Sequence, residues 1–567
     1  MSATLRRAWA VTLALVVAVL LLAGPPVDAQ PREGDVTARL RFPFPQDDGS
    51  LTPYTFELGY PLVTLIYDTL MWRDARGVPR PWLARSVTTG PDGRRVTIRL
   101  RPGVRWHDGV PLTAQDVAFT FRFVAGHPHP RFSPQLAEVR RVEATDRLTV
   151  AISLARPSLG FPDQPLADLP ILPRHRWATL PAGQLAPQGL PVGSGPYRLV
   201  EYARGKRYRL RANRGYFRGR PRVRTLSVPI IHDPEETIRA LEDRRVDMIP
   251  VSLTPEHVER LREFSIRVVR GDSYLGTVLL LNLRQPPFDR PQVRRAIAQA
   301  LDIERLAGAA GRAEPAARGY LHPSSPWSSD AISHRFDPEA ARRTLDSFAV
   351  PDIVVLAPNN DPTGRDAGRQ SVLDLERAGL RVRLRELPPA ALARAIGVDG
   401  STPRYQAAIW STSPLASYDP NFLRAVFGSD PRRARLNYSG YRSASFDALA
   451  GRVAGASGRR ERLRLVGEEL RLLARDVPVV PLFFSEGAFA YRPAAYDGWV
   501  FVKGTGILDK RSFLPGQREA AGPRPSGEPV DVSGGSGLPI GVFGLIAVLG
   551  LAAIVGLAGW GLLGRRS

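Results

Sequence analysis

Few residues in this 567-residue chain have the types and spacing that catalysis or metal binding needs. His127-Pro128-His129 sets two imidazoles in one loop. No third ligand stands near, and two rings do not close a metal site. Nucleophilic and metallohydrolase chemistry have recognisable local patterns, but no G-x-S-x-G, H-E-x-x-H or Walker motif occurs. Carboxylates are plentiful, which leaves a glycosidase-type acid pair open to geometry alone. Val192-Gly-Ser-Gly-Pro-Tyr197 is rich in glycine, yet neither Gly-Lys-Ser/Thr nor G-x-G-x-x-G follows, so a phosphate cradle is not indicated. Glycines there point to positive φ or to close backbone approach. The chain has no Cys, which excludes disulfides, thiolate metal sites, a Cys nucleophile and a lipidated N-terminal Cys. The reading is a binding protein rather than an enzyme, and no cofactor or metal is expected.

The elements that must position any site are those of a mixed α/β body over residues 30–514. Val96-Thr-Ile-Arg-Leu100, Tyr208-Arg-Leu-Arg211 and Val382-Arg-Leu384 alternate as strands do. Thr113 to Val124 reads as a helix, with Thr113 as N-cap, Asp116 three residues on, and Val117, Phe121 and Val124 on one face. Arg294 to Leu306 and Glu461 to Leu473 are helical by spacing. No repeat of solenoid period is present.

The two ends speak of location. Residues 1–29 read as a secretory signal, with Arg6 and Arg7 before an uncharged run to Gly24 and small residues up to Ala29. An uncleaved N-terminal anchor is the alternative. Leu538 to Leu563 has no charge and as a helix would be roughly 39 Å long, enough to cross a hydrocarbon core of about 30 Å. Trp560 and Arg565-Arg566 suit its cytoplasmic end. Residues 515–537 are rich in Pro, Gly and small polar residues and read as a stalk. The expectation is a C-terminal transmembrane helix at 538–563 and a cytoplasmic tail at 564–567. The net charge is +23, almost wholly from Arg, because Lys occurs only at positions 206, 503 and 510. The Arg residues are scattered rather than gathered in one tract, so no nucleic-acid partner is expected.

Several blocks, taken in order, carry a resemblance. They are Ile66-Tyr-Asp-Thr-Leu70, Gly77-Val-Pro-Arg-Pro-Trp-Leu-Ala84, and Leu100-Arg-Pro-Gly-Val-Arg-Trp-His-Asp-Gly109 with Pro111-Leu-Thr-Ala-Gln-Asp-Val117. Gly193-Ser-Gly-Pro-Tyr197, Asn213, Tyr216-Phe217 and Leu281-Asn282 follow. Pro287-Phe-Asp289, Val293 to Ile297, Leu301-Asp302, Asn437-Tyr438 and Asp476-Val-Pro-Val-Val-Pro481 close the series. Over residues 36–514 the chain resembles family 5 bacterial solute-binding proteins, the dipeptide, oligopeptide and nickel binders of ABC importers. The resemblance implies a periplasmic-binding-protein-like α/β fold (type II, cluster C) of three lobes around a hinged ligand cleft. Lobe I would be about 36–67, 188–275 and 488–514, lobe II about 68–187, and lobe III about 276–487. It also implies a monomer outside the cytoplasmic membrane, with a peptide or small solute as ligand and ABC permease and ATPase subunits as partners. A receptor of the same fold not coupled to transport is the rival reading.

One stretch departs from the family pattern. Peptide-binding members typically carry an Asp shortly before an acidic-Pro pair, and that carboxylate pairs with the ligand's α-amine. Here the loop is Trp410-Ser-Thr-Ser-Pro-Leu-Ala-Ser-Tyr-Asp419-Pro420, and Ala416 stands three residues before Asp419. A buried ammonium without an anion is costly, so amine capture is not expected unless Asp419 is re-aimed to supply it. A blocked peptide, a neutral compound or a sugar would suit the loop's hydroxyl and aromatic groups. The candidate cleft residues are Trp410, Ser411, Ser413, Tyr418, Asp419 and Tyr438. Core packing is an equal alternative for Trp410, at the end of strand 407–409, and for Tyr438.

Overall fold

The computed structural model describes residues 37–516, apart from 57–58, 130, 159, 311–313, 317–318, 329–334, 360, 399, 413–414, 432 and 457. The expected signal, nearly all of the stalk, the 538–563 helix and the tail lie outside the described residues. The expected fold class is corrected on one point. No helix among the described residues is long and apolar enough to cross a membrane, so the described fold is the α/β body alone and the expected transmembrane helix is not part of it.

Three larger sheets, beside a two-stranded one of Met71–Arg73 and Pro79–Pro81, organise that body among the described residues. The first runs in the order Leu40–Arg41, Thr225–Pro229, Arg207–Ala212, Tyr197–Ala203. Its inward face follows directly from alternation, since Tyr208, Leu210 and Ala212 are buried and Arg207, Arg209 and Arg211 are exposed. The second sheet runs Ala84–Thr89, Arg95–Leu100, Thr149–Leu154, Val139–Ala144, all antiparallel. Helix Ala114–Gly126 packs on it through Val117, Phe121 and Val124. The Asp116 carboxylate accepts the Thr113 backbone N–H at 2.8 Å, as the capping pattern requires. One continuous apolar cluster joins these two sheets.

The third sheet is mixed and has six strands. They run Glu314–Pro315, Val479–Tyr491, Arg267–Leu281, Ala407–Ser411, Ile353–Pro358, Val382–Leu387. Helix Arg459–Asp476 extends the expected one at both ends. The single helix expected over 294–306 is instead two, Pro291–Ala300 and Ile303–Ala309. Asp302 breaks it by turning its carboxylate back to cap the Arg305 N–H at 3.0 Å. The apolar period continues through the break, which hides it from a spacing argument.

Gly193 and Gly195 lie against the carbonyls of Leu65 and Ile66, where any Cβ would collide with backbone. Close approach, rather than positive φ, explains that turn. The final segment is pinned by a buried ion pair, Lys510 Nζ to Asp68 Oδ1 at 2.9 Å, both fully buried. Tyr216 and Trp82 donate to the same carboxylate. That satisfies the group, as burial of a charge demands. His127 and His129 each stack on a phenylalanine, Phe123 and Phe132, at 4.1 and 4.4 Å. Burial pushes His129 down to about 3, and its Nδ1 accepts the Arg131 N–H. These rings serve packing.

Candidate ligand cleft

Two strands, Arg267–Leu281 and Val479–Tyr491, pair along nearly their whole length. Their outer halves carry Val268, Ala488 and Ala490, which pack with the 238–261 helices. Their inner halves carry Leu279, Val480 and Phe483, which sit in the six-stranded core. The register slips between Asp272 and Gly276 and again between Thr277 and Val278. Tyr274 within this break has φ +59, an unusual value for a bulky residue. The pair therefore passes from one packed unit to another through an irregular joint, and glycines face each other beside it at Gly271 and Gly487.

The loop after strand Ala407–Ser411 is tied to that joint. Thr412 N–H donates to the Gly276 carbonyl at 2.7 Å, and the Thr412 hydroxyl accepts from Gly276 N–H at 3.2 Å. The loop then folds into a short helix, Leu415–Tyr418. Segment 322–327 holds it from behind. His322 N–H donates to the Ser417 hydroxyl at 3.0 Å, the Ser325 hydroxyl to the Ser417 carbonyl at 2.7 Å, and Trp327 Nε1 to the Tyr418 carbonyl at 2.9 Å.

This brings Tyr418 and Asp419 to a seam between separate parts of the chain. Tyr418 donates its hydroxyl proton to the Lys503 carbonyl. Its ring lies 4.4 Å from the Arg73 guanidinium and against Gly77 and Gly504. Burial pushes its phenol up to about 12. Asp419 is buried, pairs with the fully buried Arg462, and caps the turn by accepting the Asn421 N–H at 3.0 Å. Gly160 backs onto the Asp419 carboxylate so closely that a Cβ there would collide with it. Asp163 stands nearby with Arg73 and is pushed up to about 7, by burial first. Glu469, one helical stretch beyond Arg462, is pushed up to about 8 by burial.

Beside the joint a second polar group meets the seam. Lys503 Nζ lies 2.8 Å from Asp272 Oδ2, and the Ser324 hydroxyl donates to the same oxygen at 2.5 Å. Burial would raise Asp272, but these hydrogen bonds hold it below the usual carboxylate range. His322, hydrogen-bonded to Ser324, is pushed down to about 4 by burial.

The other expected cleft residues are dispersed. Trp410 is half-buried and meets Tyr438 edge to face at 6.3 Å. Tyr438 is buried in the same apolar cluster, with no partner for its hydroxyl among the described residues. Ser411 lies opposite Thr277 in the sheet, and Ser413 lies outside the described residues. Sequence reasoning missed Arg73, Gly160, Asp272, Arg462 and Lys503. For Arg462 a signal existed. It shares the buried stripe of its helix with Leu465, Val466, Glu469, Leu470 and Leu473, and charged residues on an apolar stripe demand a partner.

Comparison with known proteins yields a consistent set. The family model for bacterial extracellular solute-binding proteins, family 5 Middle, matches residues 78–433. A Brucella ovis protein described as an ABC transporter peptide-binding protein is 32% identical over 274 residues, which is 47% of this chain and 51% of that one. The chain thus spans about half the length of the curated relatives it matches first. Di/tripeptide-binding protein 2 of Pseudomonas aeruginosa is 26% identical over 443 residues, 71% of this chain and 80% of that one. The crystal structure of the ABC transporter substrate-binding protein CtaP of Listeria monocytogenes superposes with a TM-score of 0.75 at 22% identity. It covers 85% of this chain and 99% of that one, a likeness of fold.

Proposed function

The chain belongs to the bacterial extracellular solute-binding proteins of family 5, and from that membership we propose that it captures a peptide or similar small solute between hinged lobes and delivers it to the permease of an ABC importer. The observation that carries this reading is the joint in strands 267–281 and 479–491, where a register break coincides with the anchoring of the Tyr418 loop. Hinges are short stretches at element boundaries that absorb backbone change while packed bodies move rigidly. A solute bridging the lobes favours the closed form by its differential affinity for that form, which is what a permease can sense.

Asp419 is already engaged by Arg462 and by its own capping bond. It is therefore poorly placed to pair with a ligand ammonium. The cargo favoured by this geometry is held by hydroxyl, aromatic and backbone groups, as in an N-blocked peptide or an oligosaccharide, rather than through a free amino terminus. The protein works as a monomer outside the cytoplasmic membrane, with the permease and its ATPase as partners. A thermal-shift screen tests this, with free peptides, the same peptides N-acetylated, oligosaccharides and a nickel–histidine complex. A ligand at about a hundred times its Kd stabilises by roughly 2.7 kcal/mol. Stabilisation by none of the four classes contradicts the binding role. Stabilisation by free peptides alone contradicts the cargo reading only.

A further inference from the structure

The outer face of the first sheet is strongly basic, and its charges are only partly neutralised. Glu201 takes both Arg207 and Arg209, each at 2.7 Å. The next rung has no such partner. Arg211 stands directly opposite Arg198 on one neighbouring strand and opposite Thr225 on the other. Like charges directly opposed across a sheet are destabilising. Arg39 joins them from just before the edge strand Leu40–Arg41 by donating to the Ser227 hydroxyl at 3.1 Å. Ser227 lies opposite Arg209, so both share this face. Among the described residues no carboxylate lies within ion-pair distance of Arg39, Arg198 or Arg211, and all three are exposed, Arg198 donating only to the His107 carbonyl at 3.1 Å.

The same face presents no exposed large apolar side chain. Stable protein interfaces are depleted of charge at their centre and rely on aromatic or aliphatic anchors. This face has the opposite character, being cationic and exposed. A layer of lipid phosphates asks for just that, and guanidinium groups grip phosphate oxygens bidentately. We propose that this sheet face rests on the anionic lipid headgroups of a membrane surface, with Arg39, Arg198 and Arg211 as its phosphate contacts. The chain's charge of +23 steers the approach. Such docking would hold the receptor near its permease while leaving the cleft, on other elements, free to open and close.

The test is co-sedimentation of the full chain with phosphatidylcholine vesicles, with and without phosphatidylglycerol, at low and physiological salt. The expected result is a preference for the anionic vesicles of about tenfold or more that weakens with salt. The variant R39Q/R198Q/R211Q should lose most of that preference. The control R343Q/R383Q/R460Q removes the same charge from exposed sites elsewhere and should keep it. Three outcomes overturn the proposal. The wild type does not discriminate between vesicles, or both variants lose the preference equally, which makes it a matter of net charge. In the third, the patch variant keeps its vesicle preference yet loses uptake through the permease, which assigns the face to an acidic protein. Solute binding, read by thermal shift, should be unchanged in both variants, so failure here leaves the binding role standing.

Discussion

The hydroxyl of Tyr418 donates to the backbone carbonyl of Lys503, joining the loop that follows strand 407–411 to the C-terminal segment. The same ring is covered by Arg73 from the N-terminal third of the chain. Three distant stretches of sequence thus meet on one side chain, which in the proposed opening is where the lobes would part.

Tyr418→Phe removes one hydrogen bond and keeps the ring. The expected cost is about 1 kcal/mol, felt chiefly as easier opening. Small-angle X-ray scattering on the unliganded protein should show a larger radius of gyration than for the wild type. An unchanged scattering curve for Tyr418→Ala as well, which also removes the ring, would show that the contact does not restrain opening.

Gly160→Ala puts a methyl group against the Asp419 carboxylate. Either the carboxylate shifts or the two segments separate. Solute affinity, measured by calorimetry, should fall by about tenfold or more, since closure carries part of the binding free energy. Affinity equal to wild type would mean that this contact is not part of the closed form that binds.

Breaking the buried Asp419–Arg462 pair by Arg462→Leu strands a carboxylate and should cost about 3–5 kcal/mol in denaturant unfolding. Adding Asp419→Asn to the same variant should recover a substantial part of that loss. Additive costs would argue that the two charges do not depend on each other.

Glu469 has its folded pKa raised to about 8 from an ordinary 4.5, with burial as the main cause. In the unfolded chain it ionises near 4.5, so the folded form binds the extra proton between those values. Stability from this group is therefore full below about pH 4.5 and is lost as pH rises toward 8. Glu469→Gln should match the wild type near pH 5 and exceed its stability near pH 8. A variant less stable at both values would place the ionised carboxylate among the stabilising groups.

Much of the scaffold was legible in the chain. Strands at 95–100 and 207–212 show every second residue buried, 382–384 alternates as well, and Thr113 with Asp116 marks a helix start whatever lies around it. What escaped was set by tertiary contact. The Leu415–Tyr418 turn of helix lies in a Ser- and Pro-rich stretch that reads as loop, and contacts from 322–327 and from Lys503 hold it. Arg462 and Glu469 hid among the many arginines and acids of an amphipathic helix. Tyr418 and Asp419 were named as candidates through the resemblance, but their partners Lys503, Arg73 and Arg462 are 85, 345 and 43 residues away. No local pattern links such distances.

In the proposed function a solute closes the bodies joined at the 272–276 break. The chain has no Cys, so Thr88→Cys and Arg383→Cys, both at exposed sites, give a clean pair for fluorescence energy transfer between the second and third sheets. Adding a solute that stabilises the protein should raise transfer in a saturable way, with the same Kd as calorimetry. Tight binding with no change in transfer at saturation, on this pair and on a second pair spanning the first and third sheets, would contradict the account.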